Sequence, residues 1–423
     1  MKILVYPHDL GLGGSQLNAI EIAAAVAALG HSVIIFGRPG ALNDRIRELG
    51  LEFVESPSPG RRPSPGIVAA LATLVDERHI DILHGYEWPP ALETVLASRR
   101  SSSTRAVATV MSMSVPPFIP RTVPLLVGTA EIAAAELSHG RRRVAVLEPP
   151  VDVAFNHPDL DVDVAGFRRH WKLDEGRMTV VSVTRFAHEL KLEGTLAAME
   201  AVGQLTRDIP TRLVLVGDGP AREEVEAKAR LINAQAGEGT IVLTGQLADP
   251  RPAYAAADVS LGMGGSALRS LAFKKPLVVQ GERGFWRLLT PESVHGFLWT
   301  GWYGVGRAAS DGPATLADIL RDVLSDQRRR RDLGDFGRTL VEERFSVTRA
   351  AEAQVGHYLA ALEDAPGALP TVAGDAVGFA RYARYYAVKR MRRALGRERA
   401  DDFNARPVTG SARPPLQIPT GVS

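Results

Sequence analysis

The feature that most constrains the fold is a repeated alternation of short apolar runs with segments of helical periodicity. In the first half of the chain, apolar runs at residues 3–6, 33–36, 80–83 and 106–110 alternate with helix-like segments. Runs of this length predict strands that are buried on both faces, because helices cover both sides of a parallel sheet. The first half therefore predicts a doubly wound α/β domain.

The alternation restarts after a connector, residues 148–161, that is rich in proline and aspartate. This composition favours an irregular segment and indicates a domain boundary. We therefore predict two Rossmann-like domains that face each other across a cleft, plus a basic C-terminal helical tail. The strand-like runs of the second half lie at residues 179–183, 212–216, 240–243, 258–261 and 276–279. The predicted N-terminal domain, C-terminal domain, C-terminal helices and disordered tail span residues 1–160, 161–350, 351–403 and 404–423.

Composition excludes several classes of protein. The chain has no cysteine, which excludes disulfides, thiolate metal sites and thiol nucleophiles and fits a reducing compartment. No apolar run approaches the roughly 20 residues that a membrane-spanning helix needs. The apolar stretch at residues 3–6 is also too short for the core of a secretion signal. We therefore expect a cytoplasmic protein.

The net charge of +2 conceals a basic tail. Residues 376–423 contain ten Lys or Arg and three Asp or Glu, so the remainder of the chain carries a net charge of −5. A net acidic body disfavours nucleic-acid binding. Apolar residues at near-helical spacing among the cations predict a basic amphipathic helix at residues 377–396. We expect residues 377–399 either to lie peripherally on the inner membrane surface or to pack against the first domain.

Ligands of doubly wound sheets bind beyond the carboxyl ends of the strands, so the residues that follow each run carry the functional signal. After the first run, Gly11, Gly13 and Gly14 precede a helix, where backbone N–H groups can approach a phosphate. A tight turn without a ligand is the alternative. A dinucleotide site with Arg38 on the ribose phosphate is a third possibility, although Gln16 stands where that motif has its third glycine.

Two cations, Arg185 and Lys191, follow the run at residues 179–183 and precede a helix-like segment. Fixed cations at this place can stabilise the charge that develops on a diphosphate leaving group. The alternative is a pair of solvated surface cations. Glycine-rich turns also follow the next strands, with Gly217 after residues 212–216 and Gly264, Gly265 and Ser266 after residues 258–261.

In their order and spacing these segments resemble the retaining GT-B-fold glycosyltransferases of family 4, the glycosyl transferases group 1. The resemblance covers roughly residues 1–360. The motifs that carry it are GLGGSQ with Gly30 and His31, TVVSVTRFAHELKLEG, RLVLVGDGP, IVLTGQL, AYAAADVSL and LAFKKPLVV.

The resemblance implies transfer of a sugar from a nucleoside diphosphate sugar to a hydroxyl acceptor, which would be a glycan, a lipid or a secondary metabolite. It implies retention of configuration, with a diphosphate oxygen as the base, no cofactor and no obligatory metal. The first domain would take the acceptor and the second the donor. Arg185 and Lys191 would bind the donor diphosphate as catalytic residues. Other donor contacts would come from Gly13, Gly14, Gly217, Gly264, Gly265 and Ser266.

The chain departs from the family pattern at several positions. The family has two glutamates eight residues apart, the second on the ribose, where this chain has Leu261 and Arg269. Arg269 cannot accept a hydrogen bond, so it would meet a phosphate, or Glu282 would take the ribose. A family histidine is replaced by Met111. Candidates for the acceptor side are therefore His8, His84, Glu87, Trp88 and Met111, with His188 beside the diphosphate pair; each histidine has a purely structural alternative.

Other functions compete with sugar transfer. A catalytically silent relative that binds a glycan or stabilises a partner would explain Arg269 and Met111. An NADP-dependent oxidoreductase would use Arg38 but leaves Arg185 and Lys191 without a role, and a nucleotide-sugar epimerase lacks an evident acid/base pair. The aromatic run at residues 284–306 favours packing over a sugar or nucleobase platform. The sequence leaves the donor, the acceptor and the oligomeric state open.

Overall fold

The computed structural model describes residues 1–11, 13–363 and 368–395, without the side chains of 368–371. The described chain divides into two compact units. Unit 1 contains Met1–Pro150 and the described chain from Val347 onward, and unit 2 is Val151–Ser346. The predicted tail at 404–423 and the last residues of the predicted helices, from 396, lie outside the described residues.

Unit 1 has a sheet of seven parallel strands in the order β3-β2-β1-β4-β5-β6-β7. The strands are β1 (Lys2–Tyr6), β2 (Ser32–Gly37), β3 (Glu52–Glu55), β4 (Ile82–Tyr86), β5 (Arg105–Val110), β6 (Leu125–Val127) and β7 (Val144–Val146). The helices between them are α1 (Gly14–Ala28), α2 (Asn43–Glu48), α3 (Pro65–Arg78), α4 (Trp88–Ser98) and α5 (Ala130–Ser138).

Both faces of the unit 1 sheet are buried, which explains the uninterrupted apolar runs. On β1, Ile3 and Val5 pack in the core that contains α1, whereas Leu4 and Tyr6 pack in the core that contains α3. Successive side chains of a strand point to opposite faces, so both sets must be apolar when helices cover both sides. The doubly wound prediction is confirmed for this unit.

Unit 2 repeats the design with six strands in the order β10-β9-β8-β11-β12-β13. The strands are β8 (Met178–Val183), β9 (Thr211–Val216), β10 (Ile241–Gly245), β11 (Val259–Gly262), β12 (Leu277–Gln280) and β13 (Trp286–Leu288). Only β13 among them runs antiparallel to its neighbour. The helices are α6 (Val164–His170), α7 (Leu192–Leu205), α8 (Arg222–Ala236), α9 (Arg251–Ala256), α10 (Gly265–Ala272), α11 (Val294–Thr300), a 3-10 turn (Ala309–Asp311), α12 (Gly312–Ser325) and α13 (Gln327–Arg344).

The last two described helices, α14 (Val347–Glu363) and α15 (Ala368–Ala394), belong to unit 1. Tyr358 of α14 is fully buried. Its hydroxyl forms a hydrogen bond of 2.7 Å with Nδ1 of His84 in β4. The boundaries between the compact units therefore fall after Pro150 and after Ser346. The domain boundaries predicted from the sequence were 160 and 350, and residues 351–403 were predicted to form a separate helical segment. The apolar face of α14 explains this difference, because it completes the core over α1.

The aromatic run at residues 284–306 lies mainly in the interior of unit 2. Trp286, Phe297, Trp299, Trp302 and Tyr303 are all buried. Phe297 stacks on Trp302 with ring centroids 5.8 Å apart. These positions support the packing interpretation for the run and leave those five side chains without an exposed face for a sugar or base.

Two features are absent from the described chain. None of its helices is both long and apolar enough to span a bilayer. No group of three or more His, Asp or Glu side chains that could hold a metal ion occurs within the described ranges.

Candidate functional site

The loop after β8 in unit 2 positions the two predicted cations. Residues 184–191 fold back on themselves, because Leu192 N–H donates to the carbonyl of Ala187 at 3.0 Å. Leu190 has φ +63°, a left-handed conformation that lets the chain turn directly into α7. Lys191 is the N-cap residue of α7. Its carbonyl accepts hydrogen bonds from Gln280 Nε2 at 3.1 Å and Thr195 Oγ1 at 2.9 Å, which fix the start of the helix.

The side chain of Lys191 is half-buried. Burial lowers the pKa of its ammonium from 10.5 to about 8, because desolvation disfavours the charged form. Among the described residues no carboxylate forms an ion pair with it. A desolvated cation without a counter-ion is costly, and an anionic ligand would offset that cost.

Arg185 lies in the same loop with an exposed side chain. It makes no ion pair with any residue in the described part of the chain. Nearby, His188 pairs with Glu224 at 3.7 Å, and both side chains are about half exposed. The free cations of this loop are therefore Arg185 and Lys191, whereas His188 faces a carboxylate.

The glycine turn after β9 packs directly on this loop. Phe186 N–H donates to the carbonyl of Asp218 at 2.9 Å, and a side chain at Gly217 would meet the carbonyl of Thr184 at 1.8 Å. The N–H of Gly217 donates to the carbonyl of Gly245 at 2.9 Å. The predicted donor contact of Gly217 is therefore unsupported, because its amide is occupied and its lack of a side chain serves close packing.

A pocket lies beside this turn at the carboxyl ends of β8, β9 and β10. Its volume is about 160 Å³. Apolar and polar groups both line it, which suits a planar ring with hydrogen-bonding edges. The lining residues are Phe186, Gly217, Arg222, Glu226, Leu243, Thr244 and Gly245.

The turn after β11 places a helix start on the neighbouring strand. Gly264 has φ +54° and ψ −132°, a conformation that favours glycine, and it is the N-cap of α10. No hydrogen bond is formed by the N–H groups of Gly265 and Ser266 within the described structure, as expected in a first helical turn. Ser266 Oγ instead donates to the carbonyl of Met263 at 3.1 Å. Two backbone donors are therefore free at this helix start.

Arg269 lies against that helix start. Its Nη1 atom is 3.4 Å from the position that a Cβ atom of Gly265 would take. Arg269 is half-buried and has no ion-pair partner in residues 1–11, 13–363 or 368–395. The hydroxyl of Tyr254 is buried and has no hydrogen-bond partner among the described atoms. The positive charge of Arg269 acts on this hydroxyl electrostatically. Among the described residues, this region therefore has a cation without a counter-ion and, near it, a phenol without a hydrogen-bond partner.

Glu282 follows β12 and is already engaged. Tyr303 Oη donates a short hydrogen bond to its Oε2 atom. Its backbone is fixed too, since its N–H donates to Gly304 at 3.0 Å and its carbonyl accepts from Gly306 at 2.8 Å. Glu282 keeps its Oε1 atom for a further donor.

Sheet order brings these segments to one edge. β8, β11 and β12 are consecutive neighbours and run parallel, so their carboxyl ends lie side by side. The residues after these ends are Arg185 and Lys191, then the α10 start with Arg269, then Glu282. This edge of unit 2, which we call the cationic edge, has three free cations and two free amides in the described chain.

The corresponding edge of unit 1 contains the glycine loop. Gly13 is the N-cap of α1 and Gly14 its first residue, and a Cβ atom on Gly14 would meet open space. Leu12 lies outside the described residues. Asp9 holds the loop, because its Oδ1 atom accepts from Gly11 N–H at 2.8 Å and from Gln16 Nε2 at 3.1 Å. His8 is exposed and contacts Asp9 Oδ2 at 3.1 Å.

Glu87 links three segments of this edge. It follows β4 with φ +65° and ψ +173°, a conformation that costs a non-glycine residue energy. Its carboxylate accepts from Ser15 Oγ at 3.0 Å, Met111 N–H at 2.9 Å and Ser112 Oγ at 2.7 Å. Burial raises the pKa of Glu87, while these three donors oppose that rise. A strained residue with a fully engaged carboxylate indicates a position that the surroundings hold in place.

Two other acceptor-side candidates have structural roles. His84 is completely buried between Tyr358 and Thr109, with 2.7 Å to each hydroxyl, and burial lowers its pKa to about 3. The structural alternative is therefore favoured for His84, which cannot meet an acceptor from the core. Trp88 is half-buried and packs edge-on against Phe118, with ring centroids 5.5 Å apart.

Sequence reasoning missed Ser15, Ser112 and Tyr254. The serines were not recognised because their partner, Glu87, lies far away in the sequence and meets them only through strand order. The motif AYAAADVSL contained Tyr254, but its orphan hydroxyl is visible only in the folded unit.

Family comparisons agree with this layout. Residues 177–326 match the model described as Glycosyl transferases group 1, and residues 12–155 match the model described as Glycosyltransferase Family 4. No curated protein matches the chain in sequence.

Solved structures share the fold at low sequence identity. A glycosyltransferase from Rickettsia africae has 16% identity and a TM-score of 0.69, over 86% of this chain and 99% of that one. Anabaena HepE in complex with UDP has 16% identity and a TM-score of 0.66, over 85% of this chain and 100% of that one. WaaG, described as a glycosyltransferase involved in lipopolysaccharide biosynthesis, has 15% identity and a TM-score of 0.56, over 83% of this chain and 99% of that one. The GT-B fold class is thereby confirmed.

Proposed function

The chain belongs to the group 1 family of glycosyltransferases, and we propose that it transfers a sugar from a nucleoside diphosphate sugar to a hydroxyl acceptor with retention of configuration. The observation that carries this proposal is the cationic edge of unit 2. Arg185, Lys191 and Arg269 lack counter-ions among the described residues, so the edge is suited to an anion with several charges.

A diphosphate fits this edge chemically. Its oxygens would accept from Arg185, from Lys191 and from the free amides at Gly265 and Ser266. When the bond between the sugar and the diphosphate breaks, negative charge grows on the leaving oxygen. Fixed cations stabilise that charge more in the transition state than in the ground state, which accelerates the reaction.

The pocket beside the glycine turn would take the nucleobase. Phe186 belongs to the same loop as Arg185 and Lys191, so the loop would contact both parts of the nucleotide. Solved Anabaena HepE structures contain UDP and UDP-glucose. We therefore test uridine nucleotides first and other bases beside them.

Retention would follow from attack of the acceptor on the face that the diphosphate leaves. In that scheme a diphosphate oxygen takes the acceptor proton, and no carboxylate pair is needed. Arg185 and Lys191 would keep the diphosphate in place for this step. The oxygen–sugar bond to the donor breaks, the acceptor oxygen–sugar bond forms, and the proton leaves with the diphosphate.

Unit 1 would hold the acceptor beside its glycine loop. Glu87 would act there as a positioning residue, because its carboxylate fixes Ser15 at the start of α1 and the Met111 backbone after β5. His8, which is exposed after the end of β1, would be one accessible polar group of this edge.

Thermal melting with a panel of nucleoside diphosphates tests the donor proposal. A ligand at about 100 times its Kd adds about 2.7 kcal/mol of stability, so at least one diphosphate should raise Tm. Arg185→Ala should abolish the shift. Arg207→Ala, which removes an exposed arginine at the end of α7, is the matched control and should keep it. A panel without any stabilising diphosphate would overturn the donor proposal.

Transfer is tested by incubating the protein with the stabilising nucleotide sugar and a set of hydroxyl acceptors. The product anomer, read by NMR, should match the donor anomer. One competing function is a catalytically silent binding protein, which Arg269 favours because an arginine cannot accept from the ribose hydroxyls. Nucleotide binding without turnover on any acceptor would support that competitor.

A further inference from the structure

Helix α15 packs on unit 1 through one of its faces. Tyr382 is buried there and lies 5.7 Å from the ring of Trp88 and 5.2 Å from that of Phe118. Tyr385 lies 5.0 Å from Phe118. Tyr382 Oη also donates a short hydrogen bond to the carbonyl of Arg62. We call this side the inner face of α15.

The inner face is fixed by polar and close contacts as well. Arg99 Nε donates to Asp375 Oδ2 at 2.7 Å, and Thr122 Oγ1 donates to the other oxygen at 2.5 Å. A Cβ atom on Gly378 would lie 3.0 Å from the carbonyl of Phe118, so glycine allows the helix to approach the 118–122 segment. These contacts show that α15 is anchored along the same side for several turns.

The opposite side of α15 is mostly apolar and largely exposed, with Arg384 among its apolar residues. Val377, Arg384, Val388, Met391 and Leu395 follow one another at spacings of seven, four, three and four residues, which places them on one side of a helix. Val377, Met391 and Leu395 are 52%, 56% and 62% exposed. The helix hydrogen bonding continues to the end of this stretch, because Leu395 N–H donates to the carbonyl of Met391 at 3.1 Å. We call this side the outer face.

Helix α15 is strongly basic. The helix has six basic residues and a single acid, Asp375, which is buried and paired on the inner face. Five of the six basic residues are exposed, and Lys389 is half-buried with its ammonium 5.9 Å from the ring centroid of Tyr385. The six residues are Arg381, Arg384, Lys389, Arg390, Arg392 and Arg393. The outer face therefore has exposed apolar side chains with exposed cations, such as Arg390 and Arg392, on either side of Met391.

We propose that the outer face of α15 binds the surface of an anionic lipid bilayer. An interfacial helix inserts its apolar side among the acyl chains near the headgroups while its cations contact lipid phosphates and carboxylates. Exposed Val377, Met391 and Leu395 supply the apolar contact, and Arg390 and Arg392 supply charge beside Met391. Packing on unit 1 and binding to lipid use opposite faces, so the two roles expected for this segment are compatible.

Charge and hydrophobicity together favour lipid over other polyanions. A nucleic acid would contact the cations but leave the apolar side chains of the outer face in water. Its binding would therefore not change when Met391 or Leu395 is replaced. A neutral protein partner would cover the apolar side chains of the outer face but would gain no affinity from the cations. A bilayer of anionic lipid uses both.

The same inference assigns the acceptor class, and this part rests on the proposed function. Trp88 packs against the inner face of α15 and directly follows Glu87 at the unit 1 edge. A bilayer bound at α15 would therefore lie near the acceptor-side residues of the same unit. We assign the acceptor to lipid-linked hydroxyl compounds.

Sedimentation of the full chain with lipid vesicles tests membrane binding without any sugar substrate. Vesicles of phosphatidylcholine with about a third phosphatidylserine should bind the protein, pure phosphatidylcholine should not, and high salt should release it. The double variant Arg390→Gln/Arg392→Gln should weaken binding about 25-fold, at about fivefold per cation. Met391→Gln/Leu395→Gln should weaken it at least tenfold.

A matched control removes equal charge elsewhere. Arg328→Gln/Arg331→Gln, on exposed positions of α13 in unit 2, should leave vesicle binding unchanged. Failure of the wild type to bind anionic vesicles overturns the proposal. So does an equal loss in the control, which would indicate only general electrostatics, or binding to duplex DNA that is tighter than binding to vesicles and insensitive to Met391→Gln/Leu395→Gln.

The acceptor assignment and the donor proposal fail in different ways. Each α15 variant should keep the Tm increase with the nucleoside diphosphate, because the donor residues lie in unit 2. A variant that loses vesicle binding but keeps the Tm increase is impaired only in the membrane contact of α15. Faster transfer to a water-soluble acceptor than to the same acceptor on a lipid anchor in bound vesicles would overturn the lipid-linked class.

Discussion

The two sheet edges that carry the predicted site residues are built in opposite ways. At the unit 1 edge, the carboxylate of Glu87 is engaged by three donors, and Asp9 is engaged by its own loop. At the cationic edge of unit 2, Lys191, Arg185 and Arg269 have no counter-ion among the described residues. Glu87 and Asp9 of the unit 1 edge are engaged within their own unit, whereas the three cations of the cationic edge have no counter-ion among the described residues.

This difference separates internal support from ligand binding. A charge that is already hydrogen-bonded stabilises the fold, and its removal should appear first in the free energy of unfolding. A charge without a partner contributes little to folding and gains its partner from a ligand, so its removal should appear in binding and rate.

Replacement of Lys191 by methionine has the largest expected effect. The transfer rate should fall about a thousandfold, because a fixed cation is lost at the leaving group. Tm should stay constant or rise, because a half-buried ammonium without an ion pair in the described chain is removed. Initial rates and thermal melting measure the two effects. Lys228→Met, which removes an ammonium paired with Glu200, is the control and should keep the rate.

Replacement of Glu87 by alanine should destabilise unit 1. Three hydrogen bonds are lost while the left-handed backbone remains, so the free energy of unfolding should fall by about 2 kcal/mol in urea titrations. For Glu87→Gly the decrease in the free energy of unfolding should be about 1 kcal/mol smaller, because glycine relieves the backbone strain. Glu55→Ala, at an exposed position ending β3, should change little. Equal stability of all three variants would contradict a supporting role for Glu87.

The lowered pKa of Lys191, about 8 against an ordinary 10.5, predicts a specific pH dependence. Between these pH values the unfolded state binds a proton that the native state has lost, so stability without ligand should rise with pH across this window. Diphosphate binding needs the charged ammonium, so affinity should fall about tenfold per pH unit above 8. Calorimetric titrations across this range measure both trends. Lys191→Met should remove both, and an unchanged slope in that variant would refute the assignment.

Replacement of Arg269 by alanine has the smallest expected effect. Its guanidinium lies at the α10 start rather than in the loop with Arg185 and Lys191. Affinity for the diphosphate should fall about fivefold, the usual contribution of a partly solvated charge contact. The matching nucleoside without phosphates should bind unchanged. A larger loss for the nucleoside would place Arg269 on the ribose or base instead of the phosphates.

Local patterns predicted most of the regular structure. The runs at 179–183 and 212–216 became β8 and β9, because an apolar run of this length is typical of a strand that is buried on both faces of a parallel sheet. The short strands β6, β7 and β13 were missed, since three residues give no periodicity to read. The destination of α14 was missed as well, because its apolar face does not specify which core it covers.

The candidate site shows the same difference between what local sequence patterns predict and what tertiary contacts decide. By itself the sequence determined that cations follow one strand and glycines follow others, because these residues are adjacent in the chain to the runs that predict the strands. Only the tertiary structure decided that Glu87 meets Ser15 and Met111, that His84 is enclosed, and that the amide of Gly217 is occupied. Those outcomes depend on strand order and on the partner available to each polar group, and both are fixed by contacts between segments that are distant in the chain.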